Sequence, residues 1–357
     1  MRYIIAICLM LIQNQSLAST RIINGTTANL TDWPWVVSIT IAGSSTLQDA
    51  FCAGSLIHPS WVVTAAHCAK NNIDNLQVVL GRNTLSNENT GEIIKIKKII
   101  KHPNYDNDPE NPLSDIALIE LEKPSSQAIL RIAETYNKLD SKDTVATVIG
   151  WGLTNVKDKS SISDELQQTS VPIVSNEVCN AEESYDGDVK DSMLCAGLAE
   201  GGTDACIGDS GAPLMVNTDL GWQQVGIVSW GESCAQPHFY GVYSRISSFN
   251  NFVTANICTP EDIPATPNLS LKIKEQNVIV NWNKIEPAEG YQFYYAPYSD
   301  PLTEVTLNNI NSFSVKGKNT LTVDFLDKNI NYYIAVRAYK GNCYSNFSNL
   351  GTILWAN

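Results

Sequence analysis

The feature that most constrains this chain is a set of three short stretches that come in a fixed order. Residues 203–213 contain the run Gly-Asp-Ser-Gly around Ser210, which alone is weak evidence because small and polar residues form turns in most proteins. Residues 64–68, with a histidine, and residues 114–119, with an aspartate, precede it. A serine is a poor nucleophile at neutral pH unless a base lies within hydrogen-bond distance. The three residue types therefore indicate nucleophilic catalysis.

These stretches resemble the motifs of the trypsin/chymotrypsin family of serine proteases. That family has the order histidine, aspartate, serine, whereas subtilisins and α/β-hydrolases have other orders. The resemblance implies that Ser210 is the nucleophile, that His67 takes and returns its proton, and that Asp115 orients the imidazole. It also implies an oxyanion hole formed by the backbone N–H groups of Gly208 and Ser210.

Each of these assignments has a structural alternative. A lone histidine is usually structural, and we expect that role for His58, His102 and His238. Asp115 could be a turn residue before a strand. The family usually has glycine where this chain has Ala212, and a methyl group there could strain the nucleophile loop if the backbone requires positive φ. The competing interpretation is a catalytically weak protein whose C-terminal region serves in adhesion, although the intact triad argues against it.

The resemblance also predicts which substrates fit. Asp204 matches the family position that makes the floor of the specificity pocket anionic, which favours Arg or Lys; the alternative is a solvated loop acid. Gly241 would keep one wall of the pocket clear. The opposite wall, which hydrogen-bonds an extended substrate, would be formed by Ser229, Trp230 and Gly231. Ala205 stands where trypsin has a serine hydroxyl that a lysine ammonium can use, so we expect Arg to be preferred over Lys.

The beginning of the sequence has the pattern of a secretion signal. Arg2 precedes a short apolar run over residues 4–12, and small residues come before a predicted cleavage after Ala18. We therefore expect residues 1–18 to be a signal peptide and the mature protein to be secreted. A transmembrane anchor is the alternative, but the run is too short to span a bilayer.

Residues 19–21 are expected to form a short activation propeptide. The sequence Ile-Ile-Asn-Gly that follows Arg21 resembles the family's activation site, although an ordinary strand start would look similar. Cleavage after Arg21 would free the α-amino group of Ile22, which in the family pairs with the carboxylate preceding the nucleophile, here Asp209. A buried carboxylate is costly unless a cation pairs with it, so the oxyanion loop would form only after cleavage.

The cysteines indicate a disulfide framework. Of the nine, Cys8 lies in the predicted signal peptide, and the remaining eight are an even number in an oxidising compartment. The family resemblance implies three pairs, Cys52–Cys68, Cys179–Cys195 and Cys206–Cys234. The two cysteines left over lead to the hypothesis that a Cys258–Cys343 bridge holds the C-terminal region against the protease domain.

The 357 residues are too many for one ordinary domain, and short apolar runs separated by turns predict an all-β fold. The resemblance implies a protease domain of two six-stranded β-barrels over residues 22–258, with a terminal helix at residues 247–257. A proline-rich linker over residues 259–267 follows. Residues 268–357 resemble a fibronectin type III module, an immunoglobulin-like β-sandwich. Two aromatic residues support this, Trp282 on the second strand and Tyr332 as the tyrosine corner.

Charge and composition limit the partners. The net charge of −13 argues against nucleic acid and anionic membranes as partners, and no later stretch is long and apolar enough to span a membrane. We expect protein or peptide substrates with Arg or Lys before the scissile bond, and docking of proteins through the C-terminal module. We expect no cofactor and no metal: no Cys/His cluster has zinc spacing, and Arg82 stands where trypsin-like calcium loops supply a carboxylate.

Overall fold

The computed structural model describes residues 22–355 apart from residues 24, 44–46, 48, 70–72, 109–110, 156, 159, 275–276, 302, 304–305 and 308. The predicted signal peptide and propeptide, including Arg21, lie outside these residues. None of the helices in the described part of the chain is long and apolar enough to cross a bilayer.

The first barrel contains six of the first seven strands. In chain order these are β1 (Thr26–Thr27), β2 (Val36–Ile41), β3 (Ala50–His58), β4 (Trp61–Thr64), β5 (Leu76–Leu80), β6 (Glu92–Lys101) and β7 (Ala117–Leu121). Strands β2 to β7 close into an antiparallel barrel in the order β2-β3-β4-β7-β6-β5. Branched side chains such as those of β2 suit a pleated surface, and every residue of β2 except the last is buried.

The second barrel contains six of the next seven strands. They are β8 (Arg131–Ile132), β9 (Val145–Gly150), β10 (Gln167–Val174), β11 (Met193–Ala196), β12 (Pro213–Thr218), β13 (Gly221–Trp230) and β14 (Gly241–Arg245). The order β10-β11-β14-β13-β12-β9 closes into a ring because β9 also pairs with β10. Strand β1 pairs with β10, and β8 pairs in parallel with β13. The two closed six-stranded barrels confirm the predicted fold.

Two short helices accompany the barrels, α1 (Asn176–Cys179) and α2 (Asn250–Ile257). A single 3-10 turn at Ile246–Phe249 leads into α2, so the helix predicted over residues 247–257 is present. Helix α2 buries Val253 and Ile257 in the core of the first barrel, although it follows the last strand of the second. The helix therefore fastens the end of the protease domain across both barrels.

The C-terminal region forms two further sheets. Its strands are β15 (Leu269–Lys274), β16 (Asn277–Trp282), β17 (Gly290–Pro297), β18 (Asn311–Lys316), β19 (Thr320–Val323), β20 (Tyr332–Lys340), β21 (Cys343–Tyr344) and β22 (Gly351–Ile353). One sheet has the order β15-β16-β19, and the other has β18-β17-β20-β21 with β22 also on β20. Both sheets contribute to one core, which includes Trp282 and Tyr332. This is the two-sheet architecture of a β-sandwich.

Four disulfides join the cysteines of the described chain, in the same pairs that were expected from the sequence. They are Cys52–Cys68, Cys179–Cys195, Cys206–Cys234 and Cys258–Cys343. The last one joins the residue after α2 to strand β21. The C-terminal sandwich is therefore covalently attached to the protease domain at a second point besides the connecting chain.

Asn342, beside that disulfide, inserts its side chain into the protease domain. Its amide nitrogen donates to the carbonyl oxygens of Ile57 at 2.7 Å and Leu130 at 2.9 Å, and its amide oxygen accepts from the N–H of Ile132 at 2.9 Å. Leu130 and Ile132 lie in the segment that connects the two barrels. One fully bonded asparagine of the sandwich thus binds both the first barrel and the connection to the second.

Candidate active site

The histidine and the aspartate of the sequence motifs meet at one end of the first barrel. His67 lies in the 3-10 turn after β4, and Asp115 lies just before β7; because β4 and β7 are paired, the two side chains come together. Nδ1 of His67 is 2.8 Å from Oδ2 of Asp115, and the backbone N–H of His67 donates to Oδ1 at 2.9 Å. Both carboxylate oxygens therefore hold the same residue, which fixes the plane of the imidazole.

Side chains of the second barrel complete the surroundings of Asp115. The hydroxyl group of Ser229 donates to Oδ2 of Asp115 at 2.6 Å, and that of Ser244 donates to its carbonyl oxygen at 2.8 Å. Asp115 is 1% exposed, whereas the side chain of His67 is 31% exposed and so is open to a substrate. The sequence indicated Ser229 only as a pocket wall and gave no signal for Ser244, because both contacts depend on how the barrels pack.

Ser210 lies on a tight loop that packs against the first barrel. Its carbonyl oxygen accepts from the N–H of Ala53 in β3 at 2.7 Å. Gly211 has φ of 84°, and a Cβ atom there would collide with Thr64 Oγ1 and the carbonyl oxygen of Ala53. Only glycine fits between Ser210 and this wall. The loop therefore brings the serine from the second barrel to the end of β4, three residues before His67.

The residues around the predicted oxyanion hole have the backbone bonds of an ordered turn. Gly208 has φ of 99°, and the N–H of Ala212 donates to the carbonyl oxygen of Asp209 at 2.9 Å. The carbonyl oxygen of Ala212 accepts from Val228 at 2.9 Å. Ala212 is not among the described residues with positive φ, so its methyl group causes none of the strain considered from the sequence.

Asp209 is a fully buried carboxyl group behind this loop. Oδ1 accepts from the N–H of Gly152 at 2.8 Å and Oδ2 accepts from that of Cys206 at 2.9 Å. In the described chain no side-chain cation lies within ion-pair distance, and burial raises the pKa of Asp209 to about 6. Ile22, the predicted source of a cation, is 0% exposed.

A cavity of about 310 Å³ opens beside Ser210. Its lining includes every residue that the sequence indicated for substrate binding, namely Asp204, Ala205, Ser229, Trp230, Gly231 and Gly241. Asp204 is 7% exposed and accepts a hydrogen bond from the N–H of Ala235 at 3.0 Å. Burial raises its pKa to about 7. A Cβ atom on Gly241 would lie 2.8 Å from Oδ1 of Asp204, so glycine keeps the carboxyl group accessible.

Two features bear on metal ions. Cys52, His67 and Cys68 lie close together, but the two sulfur atoms form a disulfide and are not thiolate ligands. Arg82, which the sequence comparison with calcium loops singled out, is 2% exposed. Its Nε donates to the carbonyl oxygen of Thr90 at 3.0 Å and its Nη1 to that of Leu85 at 3.2 Å. The guanidinium group of Arg82 thus occupies carbonyl oxygens of this loop that could otherwise bind a cation.

Comparison with known proteins gives the family. The family profile described as Trypsin matches residues 22–253. A trypsin of Saccharopolyspora erythraea is 35% identical over 237 residues, which cover 66% of this chain and 98% of the relative. Trypsin 5G1 of Aedes aegypti is 38% identical over 240 residues, 66% of this chain and 85% of the relative. Trypsin-1 of Salmo salar is 37% identical over 211 residues, 58% and 82%. With the barrels and the site described above, the chain belongs to the trypsin family and is a serine endopeptidase.

Proposed function

We propose that this endopeptidase is secreted as a zymogen and cleaves peptide bonds after Arg and, less readily, after Lys. The buried carboxyl group of Asp204, in the same cavity as Ser210, carries the specificity. A guanidinium would complete a charge pair with it, whereas an aromatic side chain would leave the carboxylate buried without a counterion. Ala205 offers no hydroxyl group to a lysine ammonium, while the planar guanidinium binds a carboxylate with two hydrogen bonds.

The chemistry assigned to the site is acyl transfer in two steps. Oγ of Ser210 attacks the carbonyl carbon, and Nε2 of His67 takes the hydroxyl proton. The oxyanion is bound by the N–H groups of Gly208 and Ser210. When the C–N bond breaks, His67 returns the proton to the leaving amine, and water then hydrolyses the acyl-enzyme by the same route. Asp115, bonded to Nδ1, fixes the tautomer and stabilises the imidazolium.

Activation is assigned to the buried carboxyl group of Asp209. Cleavage after Arg21 would create an α-ammonium group on Ile22, and Asp209 is a buried acid with no side-chain cation beside it among the described residues. Pairing of the two would favour the ionised carboxylate and stabilise the loop that carries Ser210. Self-activation is consistent with this scheme, because an arginine precedes the cleaved bond.

Secretion and domain organisation are part of the same proposal. Residues 1–18 would direct export and residues 19–21 would be removed on activation. Residues 22–258 form the protease, 259–267 the linker and 268–357 a fibronectin type III-like module. Four disulfides fit an oxidising compartment. Docking of protein partners through the module stays a prediction.

The test is cleavage-site profiling of the purified protein on a peptide library, with N-terminal sequencing of the same sample. We expect cuts after Arg more often than after Lys, and a new terminus at Ile22. The variant Asp204→Ser should lose the preference for basic residues but keep labelling of Ser210 by an organophosphonate probe. Cuts after aromatic residues in the unaltered protein would refute the role of Asp204. Full activity without a free Ile22 terminus would refute the zymogen.

A further inference from the structure

A second cavity, of about 260 Å³, lies between the protease domain and the sandwich. The protease contributes residues from β8, from the segment after it and from the start of α2. The sandwich contributes residues of β20, of β21 and of the chain on either side of β21. The cavity shares no lining residue with the one beside Ser210. The catalytic mechanism proposed above makes no use of it.

Arg337 of β20 is held rigidly in this cavity. Its Nε donates to the carbonyl oxygen of Ser345 at 2.7 Å, and its Cζ lies 5.0 Å from the ring centroids of both Tyr344 and Phe347. Its two terminal nitrogens have no hydrogen-bond acceptor and no ion-pair partner in the described chain. They are accessible rather than buried, and Arg337 lines the cavity. A guanidinium fixed by stacking, with both NH₂ groups free, is arranged in advance to bind an anion.

The acidic side chain in the lining of this cavity, that of Glu134, forms no ion pair with Arg337. Glu134 is 8% exposed and accepts a hydrogen bond from the hydroxyl group of Tyr294. Desolvation raises its pKa, against the opposing influence of Arg337 and Arg131. Arg131 is in turn bonded to the hydroxyl group of Tyr344 at 2.8 Å. Two guanidinium groups therefore face one desolvated carboxyl group, and this place is locally cationic in a chain of net charge −13.

The opposite wall is polar and uncharged. Asn250 and Asn251 line it at the start of α2, and Thr254 lies one turn further on. The amide NH₂ group of Asn251 can donate to the oxygen atoms of a ligand without adding charge. Nδ2 of Asn250 already donates to the carbonyl oxygen of Ala133 at 3.2 Å, and Oγ1 of Thr254 donates to that of Asn250 at 2.8 Å. A volume of this size, at the low end of ligand pockets, suits a small molecule rather than a peptide.

We propose that the cavity between the two units binds a small carboxylate, whose oxygen atoms pair with the free NH₂ groups of Arg337. A single guanidinium fork, with two parallel N–H donors, matches the two oxygen atoms of a carboxylate. Because the ligand contacts both the protease domain and the sandwich, it binds only the assembled protein. Its binding therefore stabilises that assembly, by an amount that grows with the logarithm of the ligand concentration once this exceeds Kd.

The test uses the full-length protein with its disulfides intact and trifluoroacetate as the probe, observed by fluorine NMR at constant ionic strength. We expect saturable binding with Kd on the order of 1 mM, displaced by acetate and weakened at least about tenfold in Arg337→Gln. Arg337→Lys, which keeps the charge but loses the fork, should also weaken it. Asn251→Asp, an exposed change that leaves Arg337 in place, should weaken it by charge repulsion.

The matched control is Lys318→Gln, which removes one positive charge from an exposed position of the same sandwich and should leave binding unchanged. The proposal is overturned if Arg337→Gln and Asn251→Asp both bind trifluoroacetate as tightly as the unaltered protein does, while keeping its near-UV circular dichroism. Absence of saturable binding to the unaltered protein would also overturn it. Tighter binding of inorganic phosphate than of acetate, with the same dependence on Arg337, would overturn the assignment to a carboxylate. Peptide hydrolysis is measured separately, so failure here leaves the protease assignment intact.

Discussion

Cleavage after Arg21 should remove a pH-dependent loss of stability that the uncleaved chain owes to Asp209. Burial raises the pKa of this carboxyl group from 3.8 to about 6. Below pH 3.8 it is protonated in the folded and the unfolded chain, so it has no effect on the free energy of unfolding. Between pH 3.8 and about 6 the unfolded chain releases the proton first, and the free energy of unfolding falls. Roughly two pKa units at about 1.36 kcal/mol each amount to about 3 kcal/mol, lost in full above about pH 6.

The measurement is denaturant unfolding of the inactive variant Ser210→Ala, uncleaved and after cleavage at Arg21 by added trypsin, from about pH 4 to about pH 7. Over this range the uncleaved form should lose about 3 kcal/mol more than the cleaved form, because the Ile22 ammonium compensates the Asp209 carboxylate. The loss that the buried Asp204 causes in the same range is common to both forms. Asp209→Asn in the uncleaved background is the control and should remove this additional loss, leaving the pH dependence of the cleaved form. If the uncleaved chain shows the same pH dependence with asparagine as with Asp209, the reasoning is wrong.

Three further predictions concern other residues. Since burial raises the pKa of Asp204 to about 7, KM for arginine substrates should rise about tenfold per pH unit below that pH. Asp204→Ser should remove this dependence, and a KM of the unaltered enzyme that is flat between about pH 5 and 7 would contradict the prediction. Asp115→Asn should lower kcat by about 10⁴-fold with little change in stability, since a wrong imidazole tautomer leaves the fold intact; steady-state kinetics and thermal unfolding together check this. Asn342→Ala should leave three buried backbone groups unpaired and lower the free energy of unfolding by roughly 3 kcal/mol. Denaturant unfolding measures this against the exposed control Asn346→Ala, and equal stability of the two variants would argue against a structural role of Asn342.

The local parts of the site could be predicted from the sequence because their geometry is encoded locally. The turn that carries His67 and the glycine that allows Ser210 to approach β3 are properties of short segments, and the structure places Gly211 against Thr64, three residues before His67. The two barrels could be predicted only through the family resemblance. Alternating apolar residues indicate strands, but they do not say which strands pair.

Apart from the Cys258–Cys343 disulfide, contacts that depend on packing between units could not be predicted. The bond from Ser244 to the carbonyl oxygen of Asp115 exists because β14 of the second barrel approaches the first. Asn342 has no motif around it, and its three bonds depend on where the sandwich docks. The same is true of Arg337, whose free NH₂ groups become notable only once the cavity around them is seen.

The bonds made by Asn342 bear on how such a chain can evolve. A domain that is joined only by a linker can be lost or exchanged between genes with little effect on its neighbour. Here the sandwich supplies hydrogen-bond partners to Leu130 and Ile132, in the very segment that joins the barrels whose packing forms the catalytic site. Deleting the sandwich gene segment would leave the remaining protease with unpaired backbone groups at that junction. The two domains are thus coupled at this junction, and changes on either side of it must be compatible with each other.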